Sequence, residues 1–270
     1  MSKVLVINVS KCSGCYNCQL ACKDEHAGND WSPYAKPQPD IGQFWIKVNE
    51  YPEGTIPKVK IHYVPCLCNH CAKASCIDSC PENAIYRRED ALLVIDPGKC
   101  NGCGDCLEAC PYGSIYFNEE LKIAQKCTGC AHLLDNGFSL PRCVEACPTD
   151  AMVYGEEEDL KDLIEGATVL KPETGLGPRV YYRNIPGKFI AGTLFDPENM
   201  EVVIGARCRI TNEGKVWETL TDTYGDFWFR DLPVGVYDLA IEAKGYELKY
   251  ISEVRAKESV NVGDIPLKRK

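Results

Sequence analysis

The sequence lacks the features that would place it in a membrane or on a nucleic acid. Its longest apolar run, Ala91–Ile95, falls far short of the roughly 18 residues that cross a bilayer. Acidic residues outnumber basic ones by 39 to 30, which gives a net charge of −9. The sequence has no cluster of basic residues that would offset this negative charge locally. Met1–Lys3 leads directly into the strand-like stretch Val4–Val9 without a secretory signal. We therefore expect a soluble cytoplasmic protein with no membrane span and no nucleic-acid partner.

Common enzyme signatures are missing as well. Gly175–Pro178 lacks the strand-to-helix context of a dinucleotide-binding loop, so neither a flavin nor a nicotinamide site is indicated. The four histidines, His26, His62, His70 and His132, are scattered along the chain. The sequence therefore predicts no catalytic site in this chain.

Cysteine, in contrast, is abundant, and its spacing is informative. Sixteen of the 18 cysteines form four groups of four. The groups are Cys12-x2-Cys15-x2-Cys18-x3-Cys22, Cys68-x2-Cys71-x4-Cys76-x3-Cys80, Cys100-x2-Cys103-x2-Cys106-x3-Cys110 and Cys127-x2-Cys130-x12-Cys143-x3-Cys147. The first and third groups have the spacing of the bacterial ferredoxin run, and three of the four groups end in Cys-Pro. The pattern predicts four [4Fe–4S] clusters with these sixteen cysteines as ligands.

The way in which the groups combine is not fixed by spacing alone. Three closely spaced thiolates wrap one cluster, while the fourth cysteine starts a helix that leads toward a second cluster, so the groups work in pairs. Outer groups could pair with outer and inner with inner, or consecutive groups could pair. Zinc ribbons lack the three-cysteine run, and a disulfide scaffold requires an oxidising compartment. Cys66 and Cys208 are left over, and we expect Cys208 to be a small buried residue.

An internal repeat predicts the fold of the cysteine-rich part. After each inner group, a short strand and its return strand form a hairpin that leads to the next group: Ala84–Arg88 with Leu92–Asp96, and Ser114–Asn118 with Leu121–Lys126. This order is typical of the bicluster ferredoxin fold, used twice. We therefore predict an α+β domain over residues 1–187.

Within that domain we predict an outer module from the groups at 12–22 and 127–147 and an inner module from the groups at 68–80 and 100–110. Residues 31–65 form a proline-rich insertion. Glu156–Gly166 is predicted to be an amphipathic helix.

The C-terminal part has a different pattern. From about Phe189, alternating polar and apolar residues and turn signals replace the cysteine groups, as in Thr221–Leu239. We predict a seven-stranded all-β sandwich over residues 188–270, with an accessory or docking role.

Charged and histidine neighbours of the cysteines permit two interpretations. Lys11, Lys99 and Lys126 each precede the first cysteine of a group; each would favour reduction of a nearby cluster or simply be a solvated surface residue. His70 and His132 lie beside ligand cysteines, where they would donate hydrogen bonds to cluster sulfur or pack locally.

The cysteine groups, together with Cys127–His132 and its delayed Cys143 and with Pro178–Tyr182, carry a family resemblance. The first 185 residues resemble the iron–sulfur subunits of molybdopterin oxidoreductases of the dimethyl sulfoxide reductase superfamily. The resemblance implies nested pairing: Cys12, Cys15 and Cys18 with Cys147; Cys127, Cys130 and Cys143 with Cys22; Cys68, Cys71 and Cys76 with Cys110; Cys100, Cys103 and Cys106 with Cys80.

The same resemblance implies a role and a partner. The chain would pass single electrons to or from a large catalytic subunit that holds Mo or W on bis-molybdopterin guanine dinucleotide, in a heterodimer or a multiple of it. Because Cys106 is present, four cubanes are expected rather than a three-iron cluster.

The tail, Phe189–Lys270, resembles transthyretin-like or carboxypeptidase-regulatory-like sandwiches, an appendage similar to that of transhydroxylases acting on phenolic aromatics such as pyrogallol. All sixteen ligands are present here, whereas that group has eroded inner cysteine groups, so exchange with a soluble electron carrier is also indicated. A reductase or dehydrogenase for another substrate, a free-standing polyferredoxin and a sandwich-based binding module stay open as alternatives.

Overall fold

The computed structural model describes residues 2–270, and the chain divides into two compact units. The first comprises Met1–Glu50 and His62–Ile185, and the second comprises Tyr51–Ile61 and Pro186–Lys270.

Six short α-helices and seventeen strands make up the described part of the chain. The helices are α1 (Asn17–His26), α2 (Ser75–Asp78), α3 (Asp105–Ala109), α4 (Ala131–Asp135), α5 (Arg142–Glu145) and α6 (Lys161–Ile164). The strands of the first half are β1 (Lys3–Asn8), β2 (Ile46–Thr55), β3 (Lys58–Leu67), β4 (Ile85–Arg87), β5 (Leu93–Ile95), β6 (Ile115–Asn118), β7 (Ile123–Lys126), β8 (Met152–Glu156) and β9 (Val180–Arg183). The remaining strands are β10 (Lys188–Asp196), β11 (Glu201–Val202), β12 (Arg207–Asn212), β13 (Lys215–Leu220), β14 (Asp226–Leu232), β15 (Gly235–Glu242), β16 (Lys249–Ala256) and β17 (Val260–Pro266).

A three-stranded sheet joins the two ends of the cysteine-rich sequence. Its central strand β1 is buried along Val4–Ile7, as its continuous apolar run favours, and it pairs antiparallel with β8 and parallel with β9. Ile7 lies opposite Met152, and the N–H of Asn8 donates to the carbonyl of Ala151 at 2.7 Å. The chain that leaves β1 and the chain that enters β8 therefore lie at the same end of the sheet.

The two predicted inner hairpins are confirmed. β4 pairs with β5 so that Ile85 faces Ile95, and β6 pairs with β7 so that Ile115 faces Lys126. Their apolar residues share one buried core with cysteines of the inner groups.

The helix predicted over Glu156–Gly166 is wrong in its first half. Glu156 instead ends β8, where it pairs with Lys3 in register and by a 2.8 Å ion pair, and the N–H of Glu157 donates to Ser2. Strand pairing thus outweighs the local helix signal, and only α6 is helical in this stretch.

The predicted insertion contains a long β2–β3 hairpin. Its outer residues, Tyr51–Ile61, group with the second unit. No local pattern indicates this division, because the prolines of the segment exclude a long helix but do not show what each part packs against.

The second unit is a two-sheet sandwich. One sheet has the order β11-β10-β14 with β17 beside β10, and the other has the order β13-β12-β15-β16. Seven of these strands are six residues or longer, and β11 has two residues. Alternate residues of β12 and β15 enter the core, where Cys208 is fully buried, as expected.

Candidate iron–sulfur centres

Tight loops present the cysteines. In three groups a glycine with positive φ immediately precedes the second cysteine: Gly14, Gly102 and Gly129. A Cβ on Gly102 would lie 2.2 Å from the carbonyl oxygen of Lys122, so the loop requires glycine there for space as well as for conformation. In the second group, His70 occupies the same position with a φ of 44°.

The inner groups exchange their last cysteines. Cys80 lines one cavity together with Cys100, Cys103 and Cys106. A second cavity is lined by Cys68, Cys71, Cys76 and Cys110. We call Cys68, Cys71, Cys76 and Cys110 the first inner set. We call Cys80, Cys100, Cys103 and Cys106 the second inner set.

The outer groups also exchange their last cysteines. A third cavity is lined by Cys22, Cys127, Cys130 and Cys143, which we call the second outer set. Cys12, Cys15, Cys18 and Cys147 form the first outer set: Cys12 follows β1 and Cys147 precedes β8, at the shared end of the sheet. Burial raises the pKa of Cys12, and the nearby Cys147 and Cys15 raise it further.

Backbone N–H groups point at several of the sulfurs. Cys80 Sγ accepts from Ala84 at 3.3 Å, and Cys100 Sγ accepts from Ala124 at 3.4 Å. Cys147 Sγ accepts from Ala151 at 3.4 Å. For Cys147, burial acts to raise the pKa, but backbone N–H groups outweigh it and the pKa is lowered. Such donors favour the thiolate, which is the form that binds iron.

The other buried thiols need a cation to become thiolates. Burial, together with the charge of neighbouring cysteines, raises the pKa of Cys18, Cys71 and Cys106 to about 12. Four thiols gathered in an apolar cavity are therefore stable as thiolates only when bound cations compensate their charge.

The donor sets fit a cluster better than a single ion. Within residues 2–270, no three His, Cys, Asp or Glu side chains converge closely enough to hold one metal ion. The corners of an iron–sulfur cubane are farther apart than the ligands of one tetrahedral ion, and they take four thiolates. The cavities, the cysteine sets and the N–H donors match those requirements.

Neighbouring sets lie in a linear order. The two outer sets share α1, which carries Cys18 and Cys22. Cys68 of the first inner set also lines the cavity of the second outer set. Cys76 of the first inner set is close enough to contribute to the raised pKa of Cys106 in the second inner set. The order is therefore first outer, second outer, first inner and second inner.

The ends of this order reach the surface. Cys15 of the first outer set and Cys103 of the second inner set are exposed, whereas the second outer set and the first inner set have no exposed cysteine. The two terminal sets are therefore more accessible from solvent than the two middle sets.

The three candidate lysines differ in their surroundings. Lys11 is exposed and so is Lys99, whose side chain is 64% exposed. Lys126 is only 2% exposed, and its Nζ donates to the carbonyls of Cys127 and Leu93. Sequence reasoning could not separate the three, because the burial of Lys126 depends on the distant strand β5.

His132 belongs to a polar and aromatic cluster that the sequence did not indicate. Its Nε2 lies 3.0 Å from Glu25 Oε1, and its ring stacks on Trp31 with centroids 4.4 Å apart. His26 meets the edge of His132 at 5.4 Å. The cluster encloses one side of the second outer set, because His26 also lines that cavity.

Comparison with known proteins agrees with this description. The family described as "4Fe-4S dicluster domain" matches residues 59–157, and the "Carboxypeptidase regulatory-like domain" matches residues 190–268. Fold and matches together define an iron–sulfur protein with a C-terminal β-sandwich.

Proteins of similar sequence show to which group of iron–sulfur proteins the chain belongs. The chain is 37% identical over 253 residues to the pyrogallol hydroxytransferase small subunit of Pelobacter acidigallici, covering 89% of this chain and 90% of that one. It is 39% identical to a tetrathionate reductase subunit of Archaeoglobus fulgidus, covering 68% and 83%, and 32% identical to the arsenate respiratory reductase iron-sulfur subunit of a Shewanella strain, covering 66% and 94%. The chain belongs to the iron–sulfur subunits of the dimethyl sulfoxide reductase superfamily. No helix in the described part of the chain is both long and apolar enough to cross a membrane.

Proposed function

We propose that this chain is an electron-transfer subunit with four [4Fe–4S] clusters, each held by one of the four cysteine sets. The clusters would supply one-electron storage at each set. The domain that holds them would comprise residues 1–187 as two bicluster modules, followed by the sandwich at 188–270. The observation that carries the proposal is the linear order of the sets, with buried cysteines between exposed ends.

The residues of the chain would space, insulate and tune these sites. The apolar linings exclude water from the two middle sets. In the second outer set, the N–H of Gly129 donates to Cys127 Sγ and would stabilise negative charge on that sulfur. All the cysteines are free thiols, which suits a reducing compartment such as the cytoplasm.

Chemistry on a substrate would take place in a partner. We propose a large subunit with Mo or W on bis-molybdopterin guanine dinucleotide, in a heterodimer or a multiple of it. The substrate would be a phenolic aromatic, a proposal supported by the relative named as the small subunit of a pyrogallol hydroxytransferase and by its coverage of 89% of this chain.

A second candidate is the same role in a reductase or dehydrogenase for another small substrate. It is favoured by the complete complement of sixteen cysteines, because a full path between exposed ends suits net electron flow to a soluble carrier. A transhydroxylase requires no net electron flow.

Anaerobic purification of the chain from its native cells tests the proposal. We expect a large subunit to co-purify, with about one Mo or W per complex and at least about sixteen Fe. The complex would then be assayed with pyrogallol and other phenols. A lone chain with about sixteen Fe and neither Mo nor W would contradict the subunit role and leave a free-standing carrier.

A further inference from the structure

His70 occupies a position that the other cysteine groups give to glycine. The residue before the second cysteine is Gly14, Gly102 or Gly129 in three groups, and all three have positive φ. His70 has a φ of 44° at the corresponding place. This conformation is unfavourable for a residue with a Cβ, so the side chain must be held there by its surroundings.

The hydrogen bonds of the ring define where its proton lies. The backbone N–H of Leu93 donates to Nδ1 of His70 at 2.9 Å. A nitrogen that accepts a hydrogen bond carries no proton, so the neutral ring carries its proton on Nε2. That Nε2–H donor is buried and has no partner among residues 2–270, while the whole residue is 6% exposed.

His70 and the cysteines of its own loop border different cavities, except that Cys68 borders both. His70 lines the cavity of the second outer set, formed by Cys22, Cys127, Cys130 and Cys143, and is absent from the lining of the first inner set's cavity. Its neighbour Cys71 lines only the first inner set. A buried donor therefore extends from an inner loop into the site of an outer one.

We propose, on the basis of the proposed function, that His70 Nε2–H donates a hydrogen bond to a sulfur of the cluster held by the second outer set. Reduction adds negative charge to the cluster, and a fixed donor stabilises that charge. The hydrogen bond therefore makes this cluster easier to reduce than it would be without His70. His70 acts as a positioning and tuning residue at the junction of the two middle sets.

Two substitutions of His70 distinguish loss of the hydrogen-bond donor from a general disturbance of the loop. In His70→Asn the amide oxygen replaces Nδ1 as the acceptor for Leu93, and asparagine tolerates positive φ, but the side chain no longer reaches the cavity. His70→Gln is longer and returns an N–H donor near the position of Nε2. Asparagine therefore keeps the acceptor for Leu93 and loses the donor to sulfur, whereas glutamine restores that donor without an acceptor at the position of Nδ1.

The measurement is a potentiometric titration of the full chain, loaded with iron and sulfide and followed by electron paramagnetic resonance. We expect His70→Asn to make one cluster harder to reduce by about tenfold in its equilibrium, about 59 mV for one electron. His70→Gln should restore at least half of that shift. The affected signal should be the one that is lost in Cys143→Ser.

A second measurement on the unchanged chain covers the case in which a variant fails to assemble. With ¹⁵N-labelled histidine, pulsed electron paramagnetic resonance of the reduced protein should detect a ring nitrogen coupled to the cluster of the second outer set. Because His26 lines the same cavity, the measurement is repeated in His26→Phe, where the coupling should persist. An absent coupling, or four normal titrations with no shift in His70→Asn, would overturn the hydrogen bond alone. Absence of reversible cluster reduction in the unchanged chain would overturn the proposed function and this inference together.

Discussion

The ammonium nitrogen of Lys126 lies 2.8 Å from the carbonyl oxygen of Cys127, and Lys126 is only 2% exposed. A buried charge is screened far less than a surface charge. Lys126 lies beside Cys127 of the second outer set. Its charge also acts to lower the pKa of Cys76 in the first inner set, although burial keeps that pKa raised.

Replacing this lysine should therefore make a cluster harder to reduce. A unit charge about 8 Å away at an effective dielectric constant of about 20 contributes roughly 2 kcal/mol. We expect Lys126→Met to lower the midpoint potential of a middle cluster, with a change of more than tenfold in the equilibrium constant for its reduction. Potentiometric titration measures this shift. Lys99→Met, at a 64% exposed side chain, is the matched control and should change little. Equal shifts in the two variants would contradict a role for burial.

The loop of the second inner set offers a steric test. Gly102 and Gly104 both have positive φ, but a Cβ would meet Lys122 only at Gly102. We expect Gly102→Ala to lose about four of about sixteen Fe, one cluster, and Gly104→Ala to keep them. Iron analysis of the two purified variants checks this, and similar iron losses in both would show that backbone conformation alone governs the loop.

Residues 51–61 should contribute to the stability of the second unit. Lys58, whose side chain is 8% exposed, forms an ion pair with Asp226, whose side chain is 20% exposed. Removing one partner of a largely buried pair leaves the other uncompensated, so Lys58→Met should lower the free energy of unfolding of this unit by about 2 kcal/mol. Lys215→Met, on the exposed part of β13, should stay within about 0.5 kcal/mol of the unchanged chain. Hydrogen exchange of the sandwich strands measures both values.

The sandwich should lose stability in acid through Asp196. Burial of this carboxyl acts to raise its pKa, but the N–H of Glu198 and the side chains of Arg269 and Tyr246 outweigh it and hold the pKa below the usual range. The unfolded chain then binds the proton more readily, so this stabilisation is present above the ordinary aspartate pKa of about 4 and is lost as pH falls through the folded value.

Asp196→Asn tests that sign. The variant should be less stable than the unchanged chain at pH 7, and the difference should shrink as pH falls below about 4, when hydrogen exchange of β10 is followed. Glu258→Gln, at an exposed residue, is the control and should show no such convergence. A difference that stays constant down to low pH would mean that the carboxylate charge of Asp196 is not the source.

Much of the first unit could be predicted because its signals are local. Cysteine spacing and the strand pairs flanking each inner group are properties of short segments, so the hairpins around Ile85 and Ile115 were confirmed. The exchange of Cys80 and Cys110 between groups was open from spacing, and the resemblance rather than the residues favoured it.

The remaining features depend on contacts between distant segments. The burial of Lys126 and the hydrogen bond that fixes the His70 ring both involve the peptide of Leu93, which no local pattern associates with them. In the same way, the pairing of Glu156 with Lys3 places the first residue of the predicted helix in strand β8 instead. Of these features, only the unusual position of His70 is visible in the sequence, because histidine stands there where the three similar loops have glycine.

The central claim is that these sixteen cysteines hold four cubanes in one chain. Native mass spectrometry of the anaerobically purified chain tests it most directly, with Cys66→Ala and Cys208→Ala as controls outside the four sets. We predict a mass increase of four [4Fe–4S] units in the unchanged chain and in both controls, and about three units in Cys103→Ala. An increase of only two units in the unchanged chain, or one that corresponds to zinc, would contradict the account.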